Sequence, residues 1–296
     1  MKFDRPARRK LFSNSMTVLT GLAIVVIMIP LFAVIYETLS LGGSVLNASL
    51  FTQGIPYPCS PRAGVTCQQG GLVVAIQGTF ELIALAALIS VPIGIGAAIF
   101  SVEYGREHAA ARIVGLVSDV LSGVPSIVAG VFVYTLVLLY EPTIVFSTLS
   151  GSFALAVLMV PIVARTCEEA LRTVPNSVRE AALALGISKW KTTLRIVLVS
   201  ALPGIVTGVL LAVARAAGEA APLLIALGNG CAHPLQGVNQ EGCALPLWIY
   251  IGATSPYANW IALAWGAALI LLVIILALSV ISRLTLDRMA RRMRGG

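Results

Sequence analysis

Two oppositely charged residues lie inside an otherwise apolar run of this chain. Arg215 and Glu219 are four residues apart within residues 196–227, which contain no other charged side chain. At this spacing on a helix the two side chains can form an ion pair. A charge near the middle of a membrane costs at least about 2.5–3.5 kcal/mol. The residues alone leave two explanations open, an ion pair that locks helices together and a role in a substrate or ion pathway.

Two glycines would share the helix face that carries this charged pair. At about 100° per residue, Gly204, Gly208, Arg215 and Glu219 fall within about 60° of one another. A Gly-x-x-x-Gly pair lets helices pack closely in a membrane. The sequence therefore predicts that this face is turned away from lipid, toward the bundle or toward a second subunit.

Two further charged residues lie close to predicted inner ends of apolar runs. Arg165 could belong to the same pathway, but an ordinary surface anchor is the simpler explanation, because inner membrane flanks are rich in Lys and Arg. Asp119 is expected to be a partner in helix packing or capping.

Other chemistry is poorly represented in the sequence. No G-x-x-x-x-G-K-[ST] phosphate loop is present, so ATP hydrolysis would need a separate polypeptide. No Ser/His/Asp or metal-ligand cluster stands out among the two histidines and five cysteines. We therefore expect no catalysis, no metal site and no cofactor in this chain.

The composition is that of a membrane protein. Hydrophobic residues make up 58% of the 296 residues and charged residues only 11%, against about 25% charged in soluble domains. The net charge of +7 would suit nucleic acid if it were spread over a soluble surface. Here Lys and Arg cluster between apolar runs, so we expect contact with lipid and no nucleic-acid partner.

Six apolar runs are long enough to cross a bilayer, which takes about 20 residues. A cleaved signal peptide is the alternative for the first run, which exceeds the usual apolar core of about 7–15 residues. We predict an all-α, polytopic protein with six transmembrane helices, the third of them kinked at the Gly-Val-Pro-Ser segment 123–126. The runs are residues 16–36, 72–100, 113–140, 143–164, 196–227 and 259–281.

The basic residues predict which side each segment faces. Of the 20 Lys and Arg, 18 lie in the termini and in segments 101–112 and 165–195. By the positive-inside rule, both termini and segment 165–195 are cytoplasmic. The predicted organisation is a basic N-terminus (1–15), a first transmembrane helix (16–36), an outer loop (37–71), a five-helix core (72–282) that includes a second outer loop (228–258), and a basic tail (283–296).

Four of the five cysteines lie in the predicted outer loops. Cys59 and Cys67 are in the first loop, and Cys231 and Cys243 are in the second. An oxidising compartment would allow two local disulfides, and four unpaired thiols are the alternative. Cys167 is expected to be an inner, free thiol.

The charged segment 165–195 contains a predicted surface helix. Ser177 and Glu180 fit a capping box at its start, Gly186 fits a stop signal at its end, and a second helix is expected from about Ser188. Four apolar residues at helical spacing form one stripe, which could pack on the bundle or dock on a soluble partner. They are Val178, Ala181, Ala182 and Leu185.

The same segment resembles the EAA loop of prokaryotic ABC-importer permeases. The resemblance lies in EAAxxxG, from Glu180 to Gly186, followed after nine residues by Ile196-x-Leu198. In that family the loop helix docks on an ATP-binding subunit. The resemblance therefore implies that Glu180, Ala181, Ala182 and Gly186 contact such a subunit. Val199 departs from the family, which has a proline there.

Several longer runs are similar to the phosphate-specific permeases within this group. They include VPIGIGAAIFSVEY (91–104), DVLSGVPSIVAG (119–130), PIVARTCEEAL (161–171) and ARAAGEAAPLL (214–224), and the similarity covers most of residues 72–227. It implies a MetI-like permease fold and phosphate import across a prokaryotic plasma membrane. Arg215 would then offset the charge of the anion, and Glu219 would limit how tightly the anion is held.

The resemblance also implies partners. These are a homologous permease, a pair of ATP-binding subunits that hold ATP and Mg, and an outer phosphate-binding protein. Two alternatives remain open, a permease for another oxyanion or small solute, and a secondary transporter or channel that needs no ATPase.

Overall fold

The computed structural model describes residues 5–59, 67, 70–105, 109–228, 230–232 and 237–294, and all regular structure in these ranges is helical. Two π-helical turns, Phe100–Tyr104 and Thr193–Val197, interrupt the α-helices, and short 3-10 turns occur at Pro142–Ile144 and Gly230–Ala232. The α-helices are α1 (Arg5–Val45), α2 (Ala48–Thr52), α3 (Val73–Ile99), α4 (Ala109–Gly123), α5 (Ser126–Tyr140), α6 (Thr148–Arg172), α7 (Asn176–Ala184), α8 (Lys189–Thr192), α9 (Leu198–Ala216), α10 (Ala221–Ala226), α11 (Leu245–Ala253) and α12 (Ala258–Arg294).

Within these ranges, five helical segments are long and apolar enough to cross a membrane. The count rises to six if the bent pair α4 and α5 forms one crossing. Helices suit such apolar segments because they satisfy every backbone hydrogen bond within the segment. The predicted all-α, multi-pass class is confirmed. The five segments are Phe12–Val45, Val73–Tyr104, Thr148–Arg172, Lys189–Ala216 and Ala258–Thr285.

The third predicted span consists of two helices. α4 and α5 are bent by 110° relative to each other at a break across Val124 and Pro125. Pro125 cannot donate a hydrogen bond to Leu121, and its ring disfavours helical backbone at Val124. The bend falls at the predicted segment 123–126, and α5 by itself is only about 22 Å long.

Several segments predicted to be loops or tails are helical instead. α1 continues beyond the predicted span to Val45, because its last turns pack on α12. α11 lies inside the predicted loop 228–258 and buries Leu245, Leu247 and Trp248. α12 runs on through most of the basic tail to Arg294. The observed helices therefore extend beyond the predicted transmembrane segments.

The core centres on α6, which packs between α3 on one side and α9 on another. Buried apolar side chains from the three helices form one continuous cluster, with Leu82 of α3, Met159 and Val163 of α6, and Ile205 of α9 among its members. This arrangement fixes the position of α9, whose end carries Arg215.

Candidate functional site

Arg215 lies at the end of a helix in the predicted fifth span, and Glu219 lies in the break that follows it. α9 ends at Ala216, α10 begins at Ala221, and residues 217–220 between them are not helical. Pro222 lies in the first turn of α10, a position that suits a new helix start, because in a continuous helix its ring would crowd the carbonyl of Gly218. The prediction of one helix over 196–227 is therefore wrong, although Pro222 was a local signal for the break.

The ion pair between the two residues is loose. Nε of Arg215 lies 3.8 Å from Oε1 of Glu219, which allows charge attraction but is too long for a hydrogen bond. The Arg215 side chain is 67% exposed, against 24% for Glu219. Within the described ranges the guanidinium of Arg215 donates no hydrogen bond, so its five N–H groups are available to an acceptor outside this chain.

The helix face predicted to carry both the glycines and the charged pair does not have the same surroundings along its whole length. A Cβ on Gly204 would lie 2.8 Å from Ala170, and one on Gly208 would lie 2.6 Å from Cβ of Thr166. Both glycines therefore allow α9 to approach α6 closely. Arg215, two turns further along α9, leaves this seam and is exposed. The face is thus a seam inside the chain at one end and an open, charged surface at the other.

The bent pair α4 and α5 adjoins the break between α9 and α10. A Cβ on Gly130 of α5 would lie 2.7 Å from Cα and 2.8 Å from the carbonyl oxygen of Pro222. Two interrupted helices thus meet beside Glu219. Non-helical backbone at membrane depth is tolerated where it is buried in protein or lines a water-filled cavity. The exposed Arg215 favours a cavity.

Arg165 is held by its own chain and does not join Arg215. Its guanidinium donates to the Asp119 carboxylate, to Oε2 of Glu168 at 3.0 Å and to the carbonyl oxygen of Gly115 at 3.2 Å. These bonds tie α4 to α6, and Asp119 is a packing partner, as expected. Thr166, the next residue, faces Gly208, seven residues or about 10 Å before Arg215 on α9.

The surface helix of the charged segment is α7, and its end is well defined. Gly186 has φ +78°. Its N–H donates to the carbonyl of Leu183, and the N–H of Ile187 donates to that of Ala182, which is the Schellman pattern of a helix end. The predicted capping box is wrong, however. Pro175 occupies the N-cap position, and Ser177 lies inside α7.

The predicted docking stripe does not form one accessible surface. Ala182 is 4% exposed and Val178 packs against the core, whereas Glu180, Ala181 and Leu185 face outward. Ala182 therefore cannot contact a partner directly, because it holds α7 on the bundle. The outward surface also contains large apolar side chains that were not part of the predicted stripe, Leu183 and Trp190 among them.

Two buried carboxylates of this region escaped sequence reasoning. Glu168 pairs with Arg165 and, at 3.6 Å, with Arg172. Glu103 pairs with Arg179 at 2.7 Å. Arg165, Glu168 and Arg172 follow one another at about one helical turn, so their spacing in the sequence could have predicted these ion pairs. The pair of Glu103 and Arg179 joins residues 76 positions apart, and no local pattern could reveal it.

The two loops predicted to lie outside contain the two expected disulfides. Cys59 is bonded to Cys67 and Cys231 to Cys243, with Cα–Cα distances of 5.7 and 4.6 Å. Cys167 is a buried free cysteine.

Comparison with known proteins gives both a family and close relatives. A family model described as "Binding-protein-dependent transport system inner membrane component" matches residues 90–295. The chain is 39% identical to the phosphate transport system permease protein PstA of Haemophilus influenzae, over 93% of this chain and 94% of that one. It is 42% identical to PstA of Xylella fastidiosa over 82% and 81% of the two chains. Identity to PstA 1 of Mycobacterium tuberculosis is 36%, over 97% and 91%.

Solved structures share the fold at lower identity. A chain of a bacterial alginate ABC transporter in complex with its periplasmic protein aligns with TM-score 0.61 at 13% identity, covering 99% of this chain and 98% of that one. A chain of the MetNI methionine ABC transporter in an inward-facing conformation aligns with TM-score 0.55 at 21% identity, covering 74% and 95%. These similarities concern the fold alone.

Proposed function

This chain belongs to the family of binding-protein-dependent transport system inner membrane components, and on that premise we propose that it is the PstA-type permease subunit of an ATP-driven importer of inorganic phosphate. The observation that carries this function is the 36–42% identity to PstA proteins over more than four-fifths of the chain. The subunit is a multi-pass membrane protein, and ATP hydrolysis takes place on a separate subunit.

Its partners are inferred at two levels of detail. As an ABC-importer permease, it works with an ATP-binding subunit and a substrate-binding protein. More specifically, we assign to it a homologous permease (PstC-like), a pair of ATP-binding subunits (PstB-like) that hold ATP and Mg, and an outer phosphate-binding protein (PstS-like). The exposed Arg215 supports this assignment, because a cavity shared with a second permease would surround it with water.

The orientation in a prokaryotic plasma membrane is also proposed. Both termini and segment 165–195 face the cytoplasm, because Lys and Arg are concentrated there. The two disulfides then lie outside, where the compartment is oxidising. The outward surface of α7, with Glu180, Ala181 and Gly186, faces the ATP-binding subunit on the inner side.

Arg215 and Glu219 are the groups that we assign to the anion pathway. The free donors of Arg215 attract the anion and replace part of its hydration, as a planar guanidinium does for phosphate oxygens. Glu219, 3.8 Å away, repels the anion and so weakens its binding, which lets it leave. Arg165 would have to release Asp119 before it could bind an anion. We therefore propose that Arg165 mainly holds α4 in place and has only a secondary part in anion exit.

The test is ATP-dependent uptake of radiolabelled phosphate by the reconstituted complex, with and without Arg215→Ala. A hydrogen bond to a charged group contributes about 1.5–3 kcal/mol, so the substitution should lower uptake by at least about tenfold. Arg195→Ala is the matched control, because Arg195 is another exposed arginine of the same span. Assembly with the ATP-binding subunit should persist in both variants. Normal uptake by Arg215→Ala would refute the assigned role.

Two measurements separate the alternative functions. Competition by unlabelled phosphate, but not by sulfate or another oxyanion, distinguishes a phosphate permease from one for a related solute. Uptake that persists without the ATP-binding subunit would instead indicate a secondary transporter or channel.

A further inference from the structure

We propose that the buried ion pair between Glu103 and Arg179 passes the movement of α7 to α3, and that Arg179 is a positioning residue for transport. As in the proposed function, on which this inference rests, α7 receives the movement of an ATP-binding subunit. α3 then carries that movement across the membrane to the outer loop that holds the second disulfide.

Arg179 joins three separate elements through one rigid guanidinium. Nε and Nη2 donate to Oε1 of Glu103 at 3.0 and 2.7 Å, which reaches the π-helical turn at the end of α3. Nη1 donates to the carbonyl of Val174 at 2.6 Å, and Nη2 also donates to that of Leu171 at 2.9 Å. Leu171 lies in the last turn of α6. The ends of α3 and α6 and the surface helix α7 are thus bonded to one planar group.

The burial of this pair makes it a stiff connection. Only 6% of the Glu103 side chain and 15% of the Arg179 side chain are exposed. Separation would leave two charges in a medium of low dielectric without their partners, which is strongly unfavourable. The two-pronged geometry of an arginine also restricts rotation as well as distance. A displacement of α7 should therefore move Glu103 instead of breaking the pair.

A second contact joins the next surface helix, α8, to the same π-helical turn. Nζ of Lys189, at the start of α8, lies 4.9 Å from the centre of the Tyr104 ring in the π-helical turn, within the range of a cation–π interaction. A cleft of about 190 Å³ lies beside these contacts and is lined by Glu103, Arg179 and Lys189, among others. The surface helices and α3 are therefore not packed solidly here, and charged contacts bridge them.

α3 connects this inner site to the opposite end of the bundle. Its 27 residues span about 40 Å. At the outer end, the hydroxyl of Thr79 accepts a hydrogen bond of 2.8 Å from the N–H of Leu245, and Gly78 lies against the backbone of Cys243. Cys243 and its partner Cys231 belong to the outer loop after α10. A shift of α3 along its axis would thus reach both membrane faces.

The expected result is a loss of coupling without a loss of ATP hydrolysis. Reconstituted complexes carrying Glu103→Gln, Arg179→Gln or both should hydrolyse ATP within about twofold of the unmodified complex, while the phosphate moved per ATP falls by about fivefold or more. The double variant should be no worse than either single one, because one interaction is removed in all three. Arg172→Gln is the matched control, since it removes a longer and more exposed ion pair of the same region.

A purely structural role predicts a different result. It would reduce the amount of assembled complex, measured by co-purification with the ATP-binding subunit, and leave the phosphate-to-ATP ratio of the assembled complexes unchanged. An unchanged phosphate-to-ATP ratio in the assembled variant complexes would therefore overturn the inference. If the glutamine variants do not assemble, Arg179→Lys decides, because it keeps the charge and loses the two-pronged geometry. An unchanged ratio in that variant would also overturn the inference.

The unmodified complex separates this inference from the proposed function. Absence of ATP-dependent phosphate uptake by that complex would refute both. Uptake by that complex together with unchanged ratios in the variants would refute only the role of Glu103 and Arg179.

Discussion

Adding one methyl group at Gly130 should displace the break between α9 and α10. The new Cβ would lie 2.7 Å from Cα and 2.8 Å from the carbonyl oxygen of Pro222, whereas ordinary contact begins at 3.4 Å. Pro222 or α5 must therefore retreat by about 0.6–0.7 Å. Both atoms belong to the backbone, so no side chain can turn aside to make room.

The expected cost follows from this overlap. Overpacking by a methyl group typically costs about 1–3 kcal/mol, and the better helix propensity of alanine returns up to about 1 kcal/mol. Gly96→Ala on α3 is the matched control, because its Cβ would meet nothing within 4 Å. We expect Gly130→Ala to be less stable than Gly96→Ala by about 2 kcal/mol. A misplacement of about 1 Å can cost about a hundredfold in activity, so uptake should fall by about tenfold.

Two assays check this prediction. Stepwise transfer from mild detergent to dodecyl sulfate, followed by the fluorescence of the four tryptophans, gives the relative free energies of unfolding. Phosphate uptake in proteoliposomes gives the functional effect. If Gly130→Ala matches Gly96→Ala within about 0.5 kcal/mol and transports normally, α5 does not support the break as the geometry indicates.

Substitutions at three further positions test other contacts. Leu185→Glu should lower co-purification with the ATP-binding subunit and leave the stability of the chain alone unchanged, because this side chain is 80% exposed; equal co-purification would contradict a docking role. Gly186→Ala should destabilise the chain in dodecyl sulfate titration by about 1–2 kcal/mol, since its φ of +78° is unfavourable for a residue with a Cβ, while Gly186→Asn should cost less. Arg165→Gln should cost about 2 kcal/mol in the same titration, because it removes the charged hydrogen bonds to Asp119 and Gly115 of α4, while Glu168 keeps Arg172; a loss below about 1 kcal/mol, as for an exposed pair, would show that Arg165 does not hold α4.

Features that depend on a few neighbouring residues could be predicted from the sequence. The all-helical class follows from composition, and the end of α7 at Gly186 follows from a local stop signal. The cysteine spacings also anticipated the pairs that the structure contains. The break before Pro222 also has a local signal in that proline, although the spacing of Arg215 and Glu219 alone suggests one continuous helix.

Periodicity showed which residues share a face of α7, but not which neighbour covers that face. In the structure, Val178 and Ala182 face the bundle and Leu185 faces away from it, because Arg179 fixes the position of α7. The angle between α4 and α5 has a similar origin. Pro125 interrupts the helix, and the bonds of Arg165 to Asp119 and Gly115 hold α4 against α6.

The sequence by itself thus determined the membrane class, the all-helical class, the resemblance to a transport family and the charges available for chemistry. Only the tertiary structure decided which charges meet. Arg215 was left with free donors, Arg165 was taken up by its own chain, and Glu103 was joined to Arg179 across 76 positions. The physical reason is that ion pairing depends on distance in space, and packing of the apolar helices brings these residues together without regard to their separation along the chain.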